Sequence, residues 1–283
     1  MIIFFESGRL GNQLFQYSAM RKFQPRGRIL AVGMSDLKAI FTGLKIIDNK
    51  NIGKLLHWII KTIGEKRIAL LAKKMRLLTV VEELQMPNKA LFEVHYGLIK
   101  NVVYFKAGYY QSENIVDQEI VKEISIKPEI LEYSKQIHST ELCKNKNEYF
   151  VHIRRGDYIY WPSSDSPAVL PLSWYNAQID RIRKADSNAA FIVVSDDAPY
   201  AEEFFCDKSN IKVFHGELIN EFVIMTQCFA GGILSASSFS WWAAYFCRVN
   251  NPNALFVAPL YWAGHRKKVW CPICSETSWI NYV

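Results

Sequence analysis

Four short segments of this chain carry residues able to do chemistry. In Val151–Tyr158 (VHIRRGDY), strand alternation puts His152 and Arg154 on one face and Arg155 on the other. Gly156 then breaks the strand, and Asp157 follows at its carboxyl end. Two adjacent arginines suit a pyrophosphate, because guanidinium forks grip phosphate oxygens in a bidentate way. The plainer alternative is an Arg155–Asp157 ion pair, although two charges at a strand end without a ligand are costly to bury. In Glu6–Gln13 (ESGRLGNQ), Gly8 and Gly11 allow a tight turn between an apolar strand and a helix. Free N–H groups at that helix start, with the amides of Asn12 and Gln13, suit a ligand at the end of a parallel strand. An ordinary strand–helix turn capped by Asn12 is the alternative. Ser235–Trp242 (SASSFSWW) opens another helix with hydroxyls, and Ser237 or Ser238 would cap it; Trp241 and Trp242 face either a ligand or the core. Ser195-Asp196-Asp197 follows an apolar run, where a carboxylate either accepts from a guanine edge or caps the next helix.

The elements that must position these residues alternate. Runs at 149–154, 190–195, 211–214, 232–236 and 254–258 read as short β-branched strands, separated by helical runs at 172–185, 200–206, 221–229 and 239–249. That order implies βα units and a parallel sheet. The first half opens in the same manner, with strands at 2–5, 29–32 and 102–107 and a helix at 12–23. The segment 54–76 differs. Leu55, Leu56, Ile59, Ile60 and Ile63 share a helical face, continued by Ile68, Leu71 and Met75, and Glu65 is the single acid among many Lys and Arg. It reads either as a solvated helix packed on the domain or as a contact with an anionic membrane surface. The polar stretch Lys144–Asn147 is the expected linker, giving domains 1–146 and 147–283.

At 283 residues and 50% hydrophobic, the chain has enough apolar mass for one large or two smaller domains, which excludes disorder as its main theme. No run of about 20 apolar residues is present to span a membrane, and the start lacks the pattern of a signal peptide. The six cysteines are dispersed and read as free thiols. Cys271 and Cys274 with His265 offer three ligands at irregular spacing, short of a four-ligand zinc site. The net charge is +7, and all the excess lies before residue 147, where 23 Lys and Arg face 14 Asp and Glu. No nucleic-acid-binding motif accompanies it, so nucleic acid is not an expected partner.

GRLGNQLFQY, VHIRRGDY, a strand followed by SDD, and SSFSWWAAYF, in that order, resemble the α-1,2-fucosyltransferases of glycosyltransferase family 11, and the trailing Trp279-Ile280 fits the same pattern. Ala236 stands where bacterial members commonly have Asn. The resemblance implies an α/β, GT-B-like fold of two Rossmann-type domains facing across a cleft, with GDP-β-L-fucose held mainly by the second. It implies inverting transfer to the 2-OH of a terminal β-galactoside, on a glycan that is free or lipid-linked, without cofactor or obligatory metal. By motif, Arg154 engages the β-phosphate with Arg155 and His152 assisting. Asp196 or Asp197, beside Ser195, reads guanine, and Ser237, Ser238, Phe239 and Ser240 line the phosphate or nucleoside. Asn12 sits near the reacting centre, with Gly8, Arg9, Gly11 and Gln13 as substrate contacts. Asp157 is the nearest candidate base and Glu6 the second, while a highly dissociative route needs no strong base. The expected setting is a bacterial cytoplasm or the inner membrane face. The alternatives are a fucosyltransferase of another linkage, α-1,6 or protein O-linked, and a non-catalytic nucleotide-sugar-binding protein.

Overall fold

Every residue of the strand Ala189–Ser195 is buried in the computed structural model, as a parallel strand covered on both faces requires. The structure describes residues 1–47, 50–86, 89–138, 146–206, 208–261 and 277–283. They form two compact units, Met1–Ser125 and the described residues from Ile126 onward.

The second unit holds a six-stranded sheet in the order Ile211–Phe214, Ala189–Ser195, Asn147–Ile153, Gly231–Ile233, Leu255–Ala258, Ile280–Tyr282. Every pairing is parallel. In chain order this is 3-2-1-4-5-6, the doubly wound arrangement in which strand order reverses between the first and fourth strands. The helix Leu172–Ala185 enters through Pro171 and buries Leu172, Tyr175, Ile179 and Ile182, spaced for one face. That face meets Tyr149, Val151, Phe191 and Val193. Each such fully buried apolar side chain contributes roughly 1.5–3 kcal/mol. The fourth strand approaches its neighbour closely: Gly231 has φ +140°, and a Cβ there would stand 1.9 Å from the Leu255 carbonyl oxygen. Helix Ser238–Asn250 turns Trp241 and Trp242 into the core, so the ligand alternative for the two tryptophans is set aside.

The first unit has a five-stranded sheet in the order Ile29–Val32, Ile2–Phe5, Ile99–Phe105, Leu78–Met86, Lys89–His95. Its last two strands form an antiparallel hairpin, and the remaining pairings are parallel. Helices Lys50–Ile63 and Glu65–Met75 lie beside it, with Leu56, Ile68, Ala69 and Ala72 packed toward Phe5, Val80 and Tyr104.

The division falls between Ser125 and Ile126, rather than at the expected 146/147. The helix Pro128–His138 accounts for the difference: it packs on Leu218–Thr226, and a His138 ring nitrogen lies 3.1 Å from the Ile224 carbonyl oxygen. Cys143, Lys144, Asn145, His265, Cys271 and Cys274 lie outside the described residues, so the linker and zinc considerations fall mostly there. Cys228 and Cys247 are buried free thiols, and Cys206 is an exposed one.

Candidate active site at the switch point of the second sheet

The register sets the site. Ile153 pairs with Ser195 across two parallel strands, so the residues that leave their carboxyl ends, Arg154-Arg155 and Asp196-Asp197, emerge side by side. Arg154 Nη1 donates to Asp196 Oδ2 at 2.8 Å, and its Nη2 donates to Asp157. Arg155 pairs with Asp197, and its guanidinium lies 3.8 Å from the Tyr200 ring centroid. The Arg155 backbone N–H donates to Asp196 Oδ1 at 2.7 Å, so Asp196 fixes the backbone turn and the Arg154 side chain together. A Cβ at Gly156 would meet Asp196 Oδ2 at 2.6 Å, which is why the chain turns at a glycine there.

The other wall comes from the fourth strand. The loop after Ile233 crosses the reversal point, where Ser235 Oγ and His152 Nδ1 share a 2.7 Å hydrogen bond. Burial, then the nearby Arg154 charge, push the His152 imidazole down to about 3, so it is neutral at neutral pH. Tyr158 donates its hydroxyl to the Ala236 carbonyl oxygen at 2.6 Å. The loop at Ala236 is therefore held through its backbone. Ser237 caps the following helix, its Oγ accepting from Phe239 N at 3.3 Å. Ser238 and Phe239 are half-buried at that helix start. The Phe239 ring lies 5.3 Å from His152 and 5.4 Å from Phe222.

Several expectations change role. Asp196 and Asp197, one or the other of which was expected to read guanine, pair with Arg154 and Arg155 in this structure. Asp157, expected as the base, orients Arg154, so the alternative Arg155–Asp157 pair does not form. Ser195 and Ser240, expected as ligand contacts, are buried; Ser195 Oγ accepts from Asp197 N, and Ser240 Oγ donates to the Ser235 and Ser237 carbonyls. His152, 4% exposed, positions Ser235 and Phe239 from beneath the loop.

In the first unit, the Gly8–Gln13 loop is built around Glu6. The Glu6 carboxylate accepts from Met34 N and from Gln13 Nε2, the latter at 3.0 Å. Gln13 is buried, and its Oε1 accepts from Leu37 N at 2.9 Å, so in this structure its amide holds the loop to the next helix. Burial raises the proton affinity of Glu6. Both carboxylates considered for the base are thus engaged by protein donors. Asn12 Oδ1 accepts from Gln111 Nε2 at 2.6 Å. Gly8 has φ +85°, and a Cβ there would come within 2.2 Å of Asn12 Nδ2, so only glycine lets the Asn12 amide lie against this turn. Gly11 is buried in the first helical turn, and Arg9, its N-cap residue, is exposed.

The sequence reading passed over Glu221. Its carboxyl, on the helix Leu218–Thr226, is pushed up to about 7 by burial, then by the Asp196 charge, with Arg154 opposing. No ion pair of Glu221 is found among the described residues. An acid opening the apolar run Phe222–Met225 was the available signal. Two groups of donors among the described residues have spacing suited to a metal, His138 with Glu148 and Cys228, and Glu82 with Glu93 and His95. The first lies at the start of the strand whose end carries Arg154, and the second lies in the first unit.

Comparison with known proteins agrees with this layout. The family model described as Glycosyl transferase family 11 matches residues 4–263. The chain is 26% identical to an Escherichia coli O-antigen biosynthesis glycosyltransferase, WbnK, covering 97% of this chain and 98% of that protein. It is also 26% identical to an Escherichia coli alpha-1,2-colitosyltransferase, covering 90% of each. Among solved structures, fucosyltransferase NodZ from Bradyrhizobium superposes with a TM-score of 0.54 at 13% identity, covering 86% of this chain and 91% of that one. POFUT1 in complex with GDP superposes with a TM-score of 0.52 at 13% identity, covering 89% and 96%. These neighbours share the GT-B-like α/β fold. With family signature residues gathered at the reversal point of a doubly wound sheet and a match over nearly its whole length, the chain belongs to glycosyl transferase family 11.

Proposed function

We propose that this glycosyltransferase moves L-fucose from GDP-β-L-fucose to the 2-OH of a terminal β-galactoside, inverting at the fucose C1 without an obligatory metal. The observation that carries the reading is the pair of guanidiniums, Arg154 held by Asp157 and Asp196 and Arg155 by Asp197, at the strand reversal where such sheets bind nucleotides. Support for the sugar comes from two structural neighbours: NodZ, an alpha-1,6-fucosyltransferase, was soaked with GDP-fucose, and POFUT1 was solved with GDP-fucose. Support for the linkage comes from a mouse galactoside alpha-(1,2)-fucosyltransferase 2, 27% identical over 136 residues, 45% of this chain.

In the proposed reaction the C1–O bond to GDP breaks as the acceptor O2 attacks the opposite face; the O2 proton leaves to solvent, as a dissociative route without a strong base allows, and negative charge collects on the β-phosphate. Arg154, with Arg155 beside it, donates to that phosphate, and the start of helix Ser238–Asn250 adds the positive end of its dipole. With Asp196 and Asp197 paired to the arginines, Glu221, half-buried near the Asp196 and Arg154 charges, is the carboxyl proposed to receive a guanine edge. A guanine N–H pair needs the ionised carboxylate, so GDP affinity should rise with pH through about 7. In the free protein the sign is opposite: a carboxyl whose proton affinity is raised by folding adds stability at low pH, and that is lost as pH rises to about 7. Glu221→Gln should flatten both trends, checked by thermal melts and GDP titrations between pH 5 and 8.

A second reading, transfer of colitose from its GDP-sugar, has one observation in its favour, the colitosyltransferase relative. The test is acceptor-dependent GDP release with each donor on lactose, with EDTA present, and NMR of the product. An α-1,2-fucosyl linkage supports the proposal. A different linkage overturns it, turnover with GDP-colitose alone moves the donor, and turnover abolished by EDTA removes metal independence.

A further inference from the structure

Most of the exposed large apolar side chains among the described residues fall between Leu55 and Ile99, in the first unit. Leu55, Trp58, Ile63, Leu70, Leu71 and Met75 among them stand on helices Lys50–Ile63 and Glu65–Met75, whose Leu56, Ile68, Ala69 and Ala72 pack toward the sheet. Trp58 is 63% exposed and Leu70 is 65% exposed. Exposed lysines share those helices: Lys54 and Lys61 flank Trp58, while Lys66 and Lys74 each lie four residues from Leu70. Apolar and cationic groups are therefore mixed on one surface. A core-packing helix keeps them on opposite sides.

The patch continues past the helices. Leu98 N donates to the Arg76 carbonyl and Ile99 N to that of Leu77, which holds the turn after His95 against the end of the second helix. Tyr96 and Leu98 at that turn are 81% and 79% exposed. Beside them is a recess of about 310 Å³, lined by Lys73, Arg76, Leu78, His95 and Tyr96. Of the acidic groups near its lining, Glu82 lies between Lys73 and Lys106, and Glu93, about half exposed, lies 3.3 Å from His95. Arg76 remains to meet an anion at the mouth of the recess, next to side chains suited to the acyl-chain boundary.

We infer that this surface docks the protein on an anionic phospholipid bilayer. Trp58, Leu70, Tyr96 and Leu98 enter the headgroup region, and the lysines and Arg76 meet lipid phosphates. Charge complementarity selects this occupant: an apolar partner face would not call for seven Lys and Arg between residues 54 and 76, with Glu65 the single acid. No described helix is long and apolar enough to cross a membrane, so the mode is peripheral. The inference does not depend on the sugar donor.

The test is flotation of the full chain with vesicles of phosphatidylcholine containing 30% phosphatidylglycerol, against pure phosphatidylcholine. Binding is expected only to the anionic vesicles at low salt, and it should fall steeply at high salt. Lys66→Gln with Lys74→Gln should weaken partition by about 30-fold, and Trp58→Ser with Leu70→Ser should weaken it by about tenfold or more, with circular dichroism unchanged. Absence of flotation on anionic vesicles at low salt overturns the inference, as does flotation indifferent to both double variants. Concentration-dependent dimerisation abolished by Trp58→Ser and Leu70→Ser, without flotation, would assign the face to a second copy of the chain and overturn it equally.

Discussion

Arg154→Ala should lower turnover by about 10²–10³-fold, the range for removing one preorganised donor to a developing oxyanion. The side chain is largely buried and held from two sides, by Asp157 and by Asp196 at 2.8 Å. Its position is thus fixed before substrate arrives, and it needs no reorganisation as charge builds on the leaving diphosphate. The effect should fall mainly on kcat, because the bond strengthens as the β-phosphate gains charge. Arg154→Lys should recover only part of the loss, since an ammonium cannot meet two carboxylates and a phosphate in one plane. Steady-state kinetics of both variants check this, and a near-normal Arg154→Ala enzyme would remove the residue from the reaction.

Asp196→Ala should cost about 10²-fold in kcat although the residue need not touch substrate. One of its carboxylate oxygens holds the Arg154 guanidinium and the other accepts from the Arg155 backbone N–H. Removing both contacts frees the arginine turn, and a displacement of about 1 Å at a reacting group carries a penalty of that order. Asp196→Asn keeps an acceptor for the backbone N–H while losing the charge on Arg154, so it should lie between wild type and Asp196→Ala. A purely structural aspartate would lower thermal stability in both variants with kcat per folded molecule unchanged. Kinetics alongside thermal melts separate the two cases.

Local pattern was enough to read much of the second unit. The helix at 172–185 was visible because Pro171 starts it and its apolar residues keep one face. The strand before Arg154 was visible because an apolar run ends at charged residues and a glycine. The partners of those charges were not. Whether Asp196 faces a ligand or an arginine depends on Ile153 standing opposite Ser195, a register fixed by the packing of two strands more than forty residues apart. Glu221 was hidden for a similar reason: its burial comes from a helix position that only the assembled sheet defines. In the first unit the hairpin Leu78–His95 escaped because it breaks the rule of apolar inside and polar outside, with Leu84, Met86 and Leu91 exposed beside buried Val80, Val81 and Ala90.

The most direct test of the central claim, that Arg154 grips the β-phosphate of a GDP-sugar, is calorimetric titration of GDP and GMP into wild type and Arg154→Ala. A charge-assisted hydrogen bond of about 1.5–3 kcal/mol predicts that wild type prefers GDP over GMP by about 10–150-fold. Arg154→Ala should lose most of that preference while binding GMP as wild type does. An Arg154→Ala protein that still distinguishes GDP from GMP to the full extent would contradict the account and place the β-phosphate elsewhere.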